Sequence, residues 1–258
     1  MSNNGVVKPV RIQALKRSND ILGVLLAGPF EGLPLRDIAR AVNLAPTTAF
    51  TLLESLADLR LVEKVRGERR YRLGFRLLQL GRKVEARLDI IMLARPSLIR
   101  LCQQTGEMVN LLVPSVTSMI VAESLKGNVV LKTTPLKGRD LPMHGTASGK
   151  CFLAFSTIDV RAAIFETLNL TRMTARTISD LKRLEKELRE IRRQGYATEE
   201  DEFTPDTVAI AVPLLDSLGR IQATLSIHGS SARISAARRP ALLEALQREA
   251  RRIEALLL

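Results

Sequence analysis

Apolar residues in the first sixty positions return at helical spacing in three bursts. Ile12, Leu15, Ile21, Leu22, Leu25 and Leu26 lead up to Ala27, and Gly28-Pro29 supplies a stop, which predicts a first helix over 12–27. Leu35, Ile38, Ala39 and Val42 share one face of a short second helix, with Asn43 placed to close it in left-handed backbone. A third helix, Ala45 to Leu59, carries Pro46 in its first turn. It is expected to bury Phe50, Leu53, Leu56 and Ala57 and to expose Thr47, Thr48 and Thr51. Short alternating runs follow, Leu61 to Lys64 and Arg69 to Leu73, and Arg66-Gly67-Glu68 between them reads as a hairpin turn. The pattern is helical again from Phe75, and Pro96 is expected to open or kink a further helix that runs to about Gln104.

Beyond Gly106 the period shortens. Met108 to Val113, Ser118 to Ser124 and Val129 to Thr134 are strand-like runs broken by Pro114, Gly127 and Pro135, expected to pair as an antiparallel meander. Helices are predicted at 148–156, 159–168 and 179–194, the last capped by Ser179 and ended by Gly195. Strands Val208 to Leu214 and Ile221 to Ile227 flank the turn Asp216-Ser217-Leu218-Gly219, and a helix from Pro240 to Leu257 closes the chain. Three helices and a basic hairpin are the order of a winged helix-turn-helix. The chain is therefore read as such a domain over 10–74, a linker helix over 75–93 and an α+β domain over 94–258.

Composition narrows the partners. The 258 residues are 46% hydrophobic, which suits two globular cores, and with no Trp, two Tyr and seven Phe there is no base-stacking platform for single strands. The net charge of +12 is concentrated early, where residues 1–90 hold 16 Lys/Arg against 9 Asp/Glu. Such a lobe attracts phosphate by counterion release, although a basic surface also serves solubility. Cys102 and Cys151 have no metal-ligand spacing and read as free thiols of a reducing compartment. No signal-like or membrane-spanning apolar run is present, so a cytoplasmic protein without membrane association is expected.

In a helix-turn-helix the second of the paired helices enters the major groove by its N-terminal residues. That assigns Pro46, Thr47, Thr48 and Thr51 to double-stranded DNA, with Arg66, Arg69, Arg70 and Arg72 of the hairpin as phosphate contacts. The segment His144 to Lys150 invites a phosphate-loop reading, but three residues, not four, separate Gly145 from Gly149-Lys150, and Cys151 follows where Ser or Thr is required. A small-residue entry to a helix, able to attract an anion or simply to turn the chain, fits better. Ser148 and Cys151 lack a nucleophile elbow, and no paired-Cys or HExxH metal pattern occurs. No catalysis, metal or cofactor is expected. An enzyme or metabolite-binding protein with an added basic domain, or an architectural DNA-binding protein, remains as the alternative.

The chain resembles the IclR family of bacterial transcriptional regulators over nearly its whole length. Residues 10–73 are similar to the family's winged helix, and LPMHGTASGKCFLAF at 141–155 resembles its effector-domain signature. Gly195-Tyr196-Ala197, Glu199 to Glu202, Ile210 to Pro213 and Ala223 to Ile227 resemble its C-terminal pattern. The resemblance implies a repressor or activator of catabolic or transport genes, a homodimer or tetramer, and a GAF-like effector domain. By position it puts an effector, expected to be a small organic acid, among Val130, Thr133, Leu141, Ala147, Ser148, Glu199, Ala209, Ser226 and His228. Thr51 stands where the family commonly has Arg, and an uncharged side chain cannot replace a guanidinium. The docking mode carries over and the operator sequence does not.

Overall fold

The computed structural model describes residues 12–65, 68–85, 89–127 and 137–257. The chain divides into two compact units, 1–88 and 89–258.

In the first unit, α1 (Gln13–Ala27), α2 (Leu35–Ala41) and α3 (Pro46–Asp58) enclose a core of Ile21, Leu25, Ile38, Leu53 and Leu56. Val62 and Tyr71 close it from a small sheet. That sheet pairs β1 (Leu33–Pro34), β3 (Arg70–Leu73) and β2 (Val62–Lys64), in that order and antiparallel. Asn43 adopts φ 52 after α2, as the cap requires. Gly32 lets β1 approach β3, since a Cβ there would lie 2.5 Å from the Tyr71 carbonyl oxygen. Two apolar stripes differ from expectation. α3 buries Ala49, Leu53 and Leu56, while Phe50 is 44% exposed, because the small Ala49 side chain is the one that fits against the other helices. On α1 only Ile21 and Leu25 are buried, and Ile12, Leu15 and Leu26 stay exposed. α4 (Phe75–Glu85) also leaves Phe75, Leu78 and Leu80 exposed.

Residues 89–93, expected to end a linker helix, fall within α5 (Asp89–Thr105) of the second unit. Pro96 lies inside α5 and does not open it. Among the described residues a six-stranded antiparallel sheet follows the order β6 (Asp140–Pro142), β5 (Ser118–Leu125), β4 (Met108–Pro114), β9 (Ile221–Ser230), β8 (Thr207–Leu215), β7 (Ala197–Glu200). The run Val129 to Thr134 lies outside the described residues. Period-two alternation separates the faces of this sheet. Val109, Leu111, Val208, Ile210, Leu225 and Ile227 share the parity that is buried beneath α5 and α9 (Arg239–Glu254). Leu112, Ala209 and Ala211 face a second core with α6 (Ala147–Phe155), α7 (Ile158–Phe165) and α8 (Leu181–Gln194). α8 buries Leu184, Leu188 and Ile191 and ends at Gly195 with φ 88. Its cap is Asp180 rather than Ser179, the carboxylate accepting the Arg183 N–H at 2.9 Å.

Candidate functional site

The second face of the six-stranded sheet holds a cavity of about 280 Å³. Strand register builds its floor. Met108, His228, Ala209 and Glu199 stand in one row across four strands, and Asn110, Ser226, Ala211 and Ala197 in the next. Ala209 and Ser226 are too small to fill the layer above them, and the space they leave is part of the cavity, whereas Ala197 and Ala211 pack into the core.

α6 closes one wall. Thr146 caps it by accepting the Gly149 N–H at 3.2 Å, and the N–H groups of Ala147 and Ser148 find no protein acceptor among the described residues. Gly149 permits this approach, since a Cβ there would lie 2.3 Å from Met143 Cα. Another part of the lining, Phe203 and Thr204, is held beside a buried ion pair: Lys150 Nζ lies 2.5 Å from Glu202 Oε1, and Thr177 donates to the Glu202 carbonyl at 2.6 Å. Lys150 is therefore occupied by protein and does not line the cavity.

Polar groups converge on the space with spare hydrogen-bonding capacity. Glu199 Oε1 accepts the N–H groups of Glu202 at 2.8 Å and Phe203 at 3.1 Å. Burial nevertheless pushes its carboxyl up to about 7, so near neutrality the acid and carboxylate coexist. Burial, with help from the Arg233 charge, holds His228 below its ordinary value, and its Nδ1 has no partner among the described residues. The Ser148 and Ser226 hydroxyls and the Arg139 guanidinium make no hydrogen bond to protein among the described residues. Asn110 Oδ1 accepts from Ser124 at 2.7 Å, and its amide N–H groups have no partner among the described residues. Met108, Leu112, Leu141 and Phe203 supply apolar wall.

Leu141, Ala147, Ser148, Glu199, Ala209, Ser226 and His228, named from the sequence, all line this cavity. Val130 and Thr133 lie outside the described residues. Met108, Asn110, Arg139, Phe203 and Thr207 line it too and were not anticipated. For Arg139 a signal existed, because it alternates with Leu141. Among the described residues no group of three His, Cys, Asp or Glu could hold a metal, and no helix is long and apolar enough to cross a membrane.

In the first unit, Pro46, Thr47 and Thr51 are exposed on α3 and Thr48 is half-buried. No side chain caps α3, and Pro46 lacks an N–H, so the Thr47 and Thr48 amides are open. Thr51 Oγ1 donates to the Thr47 carbonyl at 3.1 Å. The hairpin puts Arg70 and Arg72 opposite the face of buried Tyr71, and both are partnered. Arg70 Nη1 donates to the Gly32 carbonyl at 3.1 Å, and Arg72 makes two 3.2 Å bonds to Glu63 Oε2. Arg69 is exposed without a partner among the described residues, and Arg66 lies outside them.

Residues 14–66 match the IclR helix-turn-helix domain, and residues 82–255 match the bacterial transcriptional regulator IclR C-terminal domain. The chain is 30% identical to the HTH-type transcriptional regulator BhcR of Paracoccus denitrificans, over 94% of this chain and 86% of that protein. It is 28% identical to the HTH-type transcriptional regulator XynR of Escherichia coli, over 92% and 93%. Among solved structures, an IclR homologue from Microbacterium hydrocarbonoxydans complexed with 4-hydroxybenzoate superposes with a TM-score of 0.78 at 25% identity, covering 95% of this chain and 98% of that one.

Proposed function

The chain belongs to the IclR family of bacterial transcriptional regulators, and we propose that it controls catabolic or transport genes in response to a small organic acid bound in the cavity of its second unit. It is a ligand-responsive DNA-binding regulator and not an enzyme, as its named relatives are. The observation that carries the acid is the convergence of unspent donors on one small cavity: two amides at the start of α6, two serine hydroxyls and the Arg139 guanidinium. Arg139 is exposed, but Ser148 and Ser226 are buried; buried donors without partners are costly, and an anion satisfies several at once. Glu199, held near neutrality by burial, does not oppose a carboxylate as a fully ionised group would. The volume suits a molecule below drug size, and the apolar wall accommodates a ring. The aromatic acid bound by the Microbacterium homologue is in keeping with that chemistry.

For DNA, Pro46, Thr47, Thr48 and Thr51 enter the major groove, and Arg66, Arg69, Arg70 and Arg72 contact phosphate. The internal pairs of Arg70 and Arg72 are half-exposed and worth at most about 1 kcal/mol, so phosphate can displace them. The exposed apolar residues of α1 and α4 support a homodimer or tetramer. A thermal-shift screen of small organic acids against their amides tests the ligand class. An acid raises the unfolding midpoint and its amide does not; equal shifts for both would sink the proposal.

A further inference from the structure

The half of α3 that faces DNA carries none of the side chains that read base edges with paired hydrogen bonds. Residues 46–51 are Pro-Thr-Thr-Ala-Phe-Thr, without the amide that reads adenine or the guanidinium that reads guanine. Its exposed surface is methyl and ring. Thr47, Phe50 and Thr51 stand at i, i+3 and i+4, so they form one patch near the start of the helix. Thr51 spends its hydroxyl hydrogen on the Thr47 carbonyl at 3.1 Å, which leaves its methyl and its lone pairs for an outside partner. Phe50 is 44% exposed although the core of this unit lies one helical step away, around Ala49 and Leu53.

The ring is also held. Lys64 Nζ lies 5.6 Å from the Phe50 ring centroid and 5.9 Å from that of Tyr71. The same ammonium pairs with Glu54 at 2.8 Å, and Tyr71 Oη reaches Glu54 at 3.5 Å. Glu54 cancels the charge of Lys64, so this box fixes Phe50 from the hairpin side without offering the groove an unpaired cation. It also neutralises the one carboxylate that follows the patch a turn later on the same face.

We infer that α3 reads thymine 5-methyl groups in the major groove, with Phe50 as the specificity-determining side chain and Lys64 as the residue that positions it. The inference rests on the reading that the first unit binds duplex DNA through α3. Thymine is the base that presents a methyl on its major-groove edge, and an apolar ring is its natural contact.

The test starts with the full-length chain and a random duplex library, from which the wild type and Phe50→Ala are each used to enrich binding sequences. Thymines in the enriched duplex are then replaced one at a time by deoxyuracil, which removes only the methyl. The wild type loses about fourfold in affinity at one thymine per half-site, the worth of one buried methyl. Phe50→Ala binds the thymine and uracil duplexes alike at that position and keeps its preferences elsewhere. Lys64→Gln keeps the ring and shows a reduced uracil penalty. Unfolding midpoints of the variants that match the wild type's exclude a folding defect as the source of these changes. A wild type indifferent to uracil everywhere, or a uracil penalty that survives Phe50→Ala, overturns the inference. If Phe50→Ala instead changes the sedimenting species and leaves the penalty intact, the ring is a contact between copies. If the wild type enriches no sequence, the DNA-binding reading itself fails.

Discussion

Replacing Glu199 with Gln stabilises the protein at alkaline pH and changes little at acid pH. The carboxyl is 3% exposed, and burial lifts it to about 7 from an ordinary 4.5, against the opposing effect of the Phe203 and Glu202 N–H groups. Below 4.5 the proton is bound in both the folded and the unfolded chain, and the group costs nothing. Between 4.5 and 7 the unfolded chain ionises while the folded one retains its proton, so stability falls as pH rises. Above 7 the penalty is constant. The gap between 4.5 and 7, at about 1.36 kcal/mol per unit, amounts to roughly 3 kcal/mol. Gln keeps a carbonyl oxygen for the two backbone donors and never ionises. Urea unfolding of the ligand-free chain, followed by circular dichroism from pH 5 to 8.5, measures the difference between variant and wild type. Glu202, whose carboxyl is also raised by burial, is common to both proteins, and its charge is one of the causes that lift Glu199. Across this range the difference grows by about 2–3 kcal/mol in favour of the variant. A constant difference, or one that grows in favour of the wild type, would refute the reasoning.

Arg69→Ala weakens binding to all duplexes and lowers the slope of log affinity against log salt by about one unit, whereas Arg72→Ala, which also frees Glu63, has a smaller effect on that slope. Salt titrations of both variants and the wild type decide it, and an Arg69→Ala slope equal to the wild type's would remove Arg69 from the phosphate contacts. Gly149→Ala forces a methyl against Met143 Cα and destabilises the second unit by about 2 kcal/mol or more, read as a lowered unfolding midpoint. Sedimentation at micromolar concentration finds a dimer or larger, and a monomer with and without DNA would leave the exposed apolar residues of α1 and α4 without a role.

The long periodic elements were legible because burial of one face imposes their spacing. α1, α2, α3 and α8 follow from apolar residues three and four apart, and Asn43 and Gly195 mark their ends as φ 52 and φ 88 require. Phe50 was misread because positions 49–53–56 and 50–53–57 are both helical stripes, and only the tertiary fit prefers Ala49. The edge strands β1, β6 and β7 are two to four residues long, too short for alternation to show. Ser226 and His228 share a face by period two alone. Asn110 and Met108 join them only through the pairing of β4 with β9, and that register is set by tertiary packing. Lys150 and Glu202 are 52 positions apart, and nothing local announces their ion pair.

The central claim is that occupancy of the cavity alters the affinity of the first unit for its operator. The direct measurement is fluorescence anisotropy of the enriched duplex, titrated with wild type and with Ser226→Ala/His228→Ala, each with and without the acid found by thermal shift. Wild-type affinity changes by about tenfold or more on adding the acid, within the usual range of coupling between sites. The double variant binds the duplex as the ligand-free wild type does and ignores the acid. An unaltered wild-type affinity with acid bound, or a full response from the double variant, would contradict the account.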